Sequence, residues 1–189
     1  GVAPGLAAYT SLLRGIHEVS GRRRVYGQAM EVWWAMQLGG VKPNLLAYTA
    51  MVRCCVKGRE MERALNLVDE MRQNGVRPSA VTYNSLLRGA AAAPLWHRSM
   101  GLVTDEILDR MEADEVPLDL ASFTALVKAC GVVGDVVGAR AYFREAEAHG
   151  LAHSSASFAA LLQALAYNQA MDPRGAAGSF KRYLTRPRG

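Results

Sequence analysis

Cysteine is scarce in this chain of 189 residues: only Cys54, Cys55 and Cys130 occur, and no two stand in a CxxC spacing. An odd count without paired spacing argues against a disulfide framework and fits a reducing compartment, with all three thiols as small core residues. Long apolar runs are missing too. None approaches the roughly 18 residues a bilayer-spanning helix needs. Nor does one sign of charge dominate, since 22 Lys and Arg against 17 Asp and Glu leave a net charge of +5. So mild a balance argues for solubility and weak attraction to polyanions, and names no partner by itself. There is no P-loop, no HxE followed by PCxxC and no carboxylate cluster, so an enzyme finds no support. His149 and His153 are four apart, but the intervening "GL" follows a helix stop, so they do not share a face as zinc ligands would. The reading is therefore non-enzymatic, with no cofactor, no metal, no membrane and no small-molecule substrate.

What the chain does have is a phrase used five times. "LAAYTSLLRG" from Leu6 returns as "LLAYTAMVRC" from Leu45, "AVTYNSLLRG" from Ala80, "LASFTALVKA" from Leu120 and "SASFAALLQA" from Ser155. Aligned on Tyr9, Tyr48, Tyr83, Phe123 and Phe158, the phrases step by 39, 35, 40 and 35 residues, a period of 35 with two lengthened copies. Within one copy, Tyr48, Met51, Val52, Cys55 and Val56 keep the i, i+3, i+4 rhythm of an amphipathic helix, and Lys57-Gly58 interrupts it. A second helix runs through Met61, Ala64, Leu65, Leu67, Val68 and Met71, with Gly75 as its stop and Pro78 blocking extension. The copies close alike, on "GGVKPN", "NGVRPS", "DEVPLD" and "HGLAHS".

Helical pairs of this size cannot bury their apolar faces alone, so they must stack. The predicted fold class is all-α: a right-handed α-solenoid of antiparallel helix pairs, one continuous domain. The repeats are 6–44 (with an insertion), 45–79, 80–119 (with an insertion), 120–154 and a terminal or truncated 155–189, and residues 1–5 read as the end of a preceding repeat. The insertions are placed between the two helices, as a basic turn at Arg22, Arg23 and Arg24 and as a loop holding Trp96 and His97. Ala29, Ala64 and Ala139 fall where second helices would cross closely. Asp105, Asp109, Glu112, Asp114 and Glu115 read as a solvated helix face.

A 35-residue helical pair opening on "VTYNSLL", carrying Ala-Leu and Glu-Met in its second helix and closing on "GVRPS", resembles the pentatricopeptide repeat. The tetratricopeptide alternative has a period of about 34 and its own W-x2-L-G-x2-Y pattern, which no repeat here shows. The resemblance implies single-stranded RNA as partner, one base per repeat. It implies base-reading pairs Thr10 with Asn44, Thr49 with Ser79, Asn84 with Asp119 and Thr124 with Ser154. By the family's pairing rules the first resembles an adenine reader and the third a uracil reader, hence a 5'-A-N-U-3' core. Base-stacking positions fall on Ala7, Leu46, Val81, Ala121 and Ala156, of which three offer only a methyl group. Phosphate contact falls on Lys57, whose counterparts are Glu18, Val132 and Tyr167, and Arg22, Arg23 and Arg24 would add basic grip. Asn44, Ser79, Asp119 and Ser154 also stand directly before helices, where such residues are ordinary caps.

The implied role is RNA binding in organellar RNA processing, stabilisation or translation, in a mitochondrion or chloroplast. The alternative is a structural repeat subunit of an organellar ribonucleoprotein such as a mitochondrial ribosome, holding protein or rRNA.

Overall fold

The computed structural model describes residues 4–92, 100–133, 135–151 and 155–170. Among the described residues there are nine α-helices and no strand: α1 Leu6–Val19, α2 Arg22–Leu38, α3 Leu45–Gly58, α4 Met61–Gln73, α5 Ala80–Ala91, α6 Met100–Ala113, α7 Leu120–Val133, α8 Val136–Ala148 and α9 Ser155–Ala170. The chain divides into two compact units, Gly1–Gly89 and Ala90–Gly189. Each is built of α-solenoid hairpins. In the first, α1 packs on α2 and α3, α2 on α3, and α3 on α4; in the second, α7 packs on α8 and α9, and α8 on α9.

The punctuation that ends each second helix is the same four times. Val41, Val76, Val116 and Leu151 donate their backbone N–H to the carbonyls of Met36, Met71, Met111 and Ala146, at 3.0, 2.8, 2.9 and 3.0 Å. This is the six-to-one closure of a Schellman motif, which requires a left-handed residue just before the donor. Gly75 supplies it at φ 70°, and Glu115 takes the same conformation at φ 56°. A glycine is at ease there, whereas a side chain carries a steric cost.

Buried aromatics bind the hairpins. Trp33 meets Tyr48 edge to face at 5.1 Å between ring centroids, and both are fully buried with Leu13, Met36, Met51, Leu67 and Met71. The Tyr48 hydroxyl reaches the edge of this core, donating to Glu70 Oε1 at 3.0 Å and accepting from Asn74 Nδ2 at 2.9 Å. Burial, and then the Glu70 carboxylate, push its pKa up to about 12, so it remains a donor across the neutral range. In the second unit Phe123, Leu126, Cys130 and Tyr142 are buried, and Phe143 meets Phe158 edge to face at 5.2 Å.

All three cysteines are free and buried. Burial pushes the thiols of Cys54 and Cys55 up to about 11 and about 12 and that of Cys130 further, so none offers a thiolate near neutral pH. Ala29, Ala64 and Ala139 are fully buried, as close helix packing requires.

The first insertion does not form a turn. Only Ser20 and Gly21 separate α1 from α2, and Arg22, Arg23 and Arg24 open α2. With 17 residues against 13 in α4, α2 absorbs the four additional residues of the first repeat. Arginine is a strong helix former, and with Gly21 as N-cap nothing in "RRRVYG" stops the helix earlier. The second insertion, with Trp96 and His97, lies outside the described residues.

One glycine inside a helix marks a close seam. A Cβ on Gly89 would lie 2.5 Å from Val56 Cγ1 and 2.8 Å from Met61 Cε. Gly89→Ala is therefore expected to lose up to about 2 kcal/mol net, overpacking of about 1–3 kcal/mol set against the roughly 1 kcal/mol gained in helix propensity. A lower denaturant midpoint at unchanged slope would register it. A more stable variant would contradict this packing.

Candidate nucleic-acid interface

In each compact unit the candidate site is laid out along the first helices of its repeats, α1, α3 and α5 in the first and α7 and α9 in the second. The five residues two before the aromatic all reach solvent: Ala7, Ala121 and Ala156 are exposed, as are Leu46 at 65% and Val81 at 58%. Exposed branched side chains beside a fully buried Tyr48 and Tyr83 show how sharply the helix face changes within two residues.

A polar residue follows four of the five aromatics and sits at the margin of that face, while Ala159 follows Phe158. Thr10 and Thr49 are each 9% exposed and Asn84 is 7% exposed. The Thr10 hydroxyl donates to Leu6 O at 2.8 Å, which leaves its lone pairs to accept. Asn44 caps α3, its Oδ1 accepting from Ala47 N at 3.0 Å, and its exposed amide NH2 is the group available to donate. An acceptor at Thr10 and a donor at Asn44 are the two kinds of group that an adenine edge, with its N6–H and N1, would require.

The structure brings Thr49 and Ser79 together through a residue the repeat pattern did not single out. Thr82 Oγ1 lies 3.0 Å from Thr49 Oγ1 and 3.4 Å from Ser79 Oγ, and Thr82 is fully buried. The same link recurs in the second unit, where Thr124 donates to Leu120 O at 2.7 Å and lies 3.2 Å from Ser157 Oγ. The signal for these residues was in the sequence: the residue before each aromatic is always small, and in three repeats it is a hydroxyl, at Thr82, Ser122 and Ser157. Asp119 caps α7 through Ser122, accepting from its N–H at 2.8 Å and its hydroxyl at 3.0 Å. Ser154 lies outside the described residues. Asn44 and Asp119 thus do cap their helices.

The basic residues divide. Lys57 donates from Nζ to the carbonyl of His17, near the C-terminal end of α1, where a cation is favoured by the helix dipole. Burial first, then Arg53 and Lys57, hold the His17 imidazole below its usual range against the raising effect of Glu18. Arg22, Arg23 and Arg24 are exposed, but they belong to a second helix, whereas every platform and reader follows from a first helix or its cap. His149 ends α8 and stacks edge to face on Phe123 at 5.8 Å; its sequence neighbour in the zinc reading, His153, lies outside the described residues. No helix among the described residues is long and apolar enough to cross a membrane, and no group of three or more His, Cys, Asp or Glu among them is placed to hold a metal ion.

Comparison with known proteins converges on one family. A family model described as the pentatricopeptide repeat domain matches residues 31–90 and 106–168. The chain is 27% identical over 165 residues to a chloroplastic pentatricopeptide repeat-containing protein of Arabidopsis thaliana, covering 87% of this chain and 20% of that protein. It therefore spans about a fifth of that relative's length. Among solved structures it resembles the pentatricopeptide repeat protein PPR10 in complex with an 18-nt psaJ RNA element, with a TM-score of 0.65 and 27% identity over 86% of this chain and 23% of that one. It also shares the fold of the PPR domain of Arabidopsis thaliana protein-only RNase P 1, solved in complex with tRNA, with a TM-score of 0.70 at 18% identity over 88% of this chain and 83% of that one. With the family model matching well over half of its length, the chain belongs to the pentatricopeptide repeat family.

Proposed function

We propose that this chain binds single-stranded RNA, one base per repeat, in organellar RNA processing, stabilisation or translation. The observation that carries the reading is the exposed row Ala7, Leu46, Val81, Ala121 and Ala156, each three residues before the reader position on a first helix. That spacing sets a stacking surface and a reader side chain on one helical face. The RNA complexes of PPR10 and of the RNase P domain support a nucleic-acid partner, and the chloroplastic relative supports an organellar setting. Three of the platforms are alanines, so a base resting on them gains little of the roughly 1–3 kcal/mol that a good stacking surface gives. Modest intrinsic affinity follows, in the micromolar range at about −8 kcal/mol.

The test is to enlarge the platforms. Ala7→Val, Ala121→Val and Ala156→Val are expected to tighten binding of single-stranded RNA about three- to tenfold each, within the energy of stacking one base. Fluorescence anisotropy on the chain would read this. If affinity for RNA does not move and the variants instead leave their native particle, the face docks protein and the scaffold role replaces RNA reading.

A further inference from the structure

We propose that the bound strand's backbone is held in the first compact unit by a row of cations five residues after the repeating aromatic, Arg14, Arg53 and Arg88, and in the second, separately, by Lys128 at the same position of its repeat. Glu18 acts there as a built-in competitor for Arg53. The inference rests on the RNA-binding reading and deepens it.

Register comes first. The position is basic in four of five repeats, and the fifth holds Gln163. It falls seven residues after each platform and four after each reader, hence on the same stripe of the first helix. The neighbouring helices hold these cations level. Cys54 Sγ lies 3.5 Å from Leu13 O, fixing α1 beside α3 at the very residues that adjoin Arg53 and Arg14. Further along, Thr49 bonds Thr82 at one end of the α3–α5 seam and Val56 crowds Gly89 at the other. Both ties pair residues 33 apart, so Arg53 and Arg88, 35 apart, stand between them within about 3 Å of the same height. Packed helices are about 8–10 Å apart, so the first compact unit presents a guanidinium at each step of that length.

Their state is the second observation. Arg14, Arg88 and Lys128 are exposed, and among the described residues none of them has an ion pair or side-chain hydrogen bond. Arg53 has one partner, Glu18 at 3.6 Å, whose carboxylate is 70% exposed. Glu18 occupies in its repeat the place that Lys57 occupies in the next. A phosphate approaching Arg53 must displace this carboxylate, while Lys57 is already engaged with a carbonyl. A row of cations in step with a platform and a reader suits a polymer that carries one anion per base. An acidic protein segment has no reason to keep that step.

The probe is a labelled single-stranded RNA of about 12 randomised nucleotides, with polyglutamate as a second probe, titrated across roughly 50 to 200 mM salt. The parent chain is expected to show a slope near 3 in log affinity against log salt, four cations at about 0.7 each. Arg14→Gln, Arg88→Gln and Lys128→Gln should each lower the slope by about 0.7 and weaken all sequences alike; Arg14→Lys should restore it. Glu18→Lys should tighten binding and steepen the slope, a gain that loss of fold cannot imitate. If the parent binds RNA but these variants leave the slope unchanged, the row is overturned and the RNA reading stands. If substitution weakens polyglutamate and spares RNA, the row serves acidic protein and is likewise overturned. If the parent binds no RNA, both readings fall.

Discussion

Ala64→Arg is expected to destabilise the first compact unit by about 4 kcal/mol or more, because it places a charge at a buried position of α4. Ala64 lies in α4 with no solvent exposure, between Met61 and Val68 on a helix whose Leu67, Val68 and Met71 are also buried. A long side chain forced into such a seam costs about 1–3 kcal/mol in overpacking. The guanidinium adds the larger share, because it would be stripped of water without a partner. Thermal unfolding should fall by about 10 °C for a chain of this size. Asn66→Arg, two residues away on the exposed side of α4, is the control and should melt with the parent. Equal melting of both variants would show that α4 is out of register with its neighbours.

Asn44→Asp is expected to move the base preferred by the first repeat from adenine to guanine, by about tenfold or more in relative affinity. The substitution keeps the fold, since aspartate caps a helix as well as asparagine and can accept from Ala47 N in the same way. What changes is the outward group. The amide NH2, which would donate to adenine N1, becomes a carboxylate that can only accept, which suits the N1–H and N2–H of guanine. Thr10, which can accept from adenine N6–H while its own proton goes to Leu6 O, would turn that proton outward to donate to guanine O6. Selection from a randomised RNA pool would read the exchange. An unchanged base at that position would mean that Asn44 is a cap alone.

Much of the fold was legible because the determinants are local. The interruption at Lys57-Gly58 and the stop at Gly75 follow from residues whose backbone preferences act within a turn, and the helices end within one or two residues of them. The buried alanines were readable from their place in the repeat. Arg22, Arg23 and Arg24 open a helix and form no turn because strong helix formers lengthen a helix at less cost than they build a loop, and repeat length alone does not tell the two apart. For the candidate site, the outward turn of Leu46 and Val81 follows from their spacing to a buried tyrosine. The engagement of Lys57 by His17 O and the meeting of Thr49 with Thr82 span 40 and 33 residues. Such pairings depend on how one hairpin sits against the next, which no local pattern encodes.

The Thr49–Thr82 hydroxyl pair joins the second repeat to the third. On the RNA-binding reading, a base bonded by Thr49 would meet a hydroxyl already paired with Thr82, and Thr82 is also shared with Ser79. On that reading, adjacent letters of the RNA would not be chosen independently. The second repeat should score its base according to how its neighbour is occupied, so its grammar is written in two-letter syllables, and a table of single-base preferences would misjudge the ranking of sequences that differ at both places.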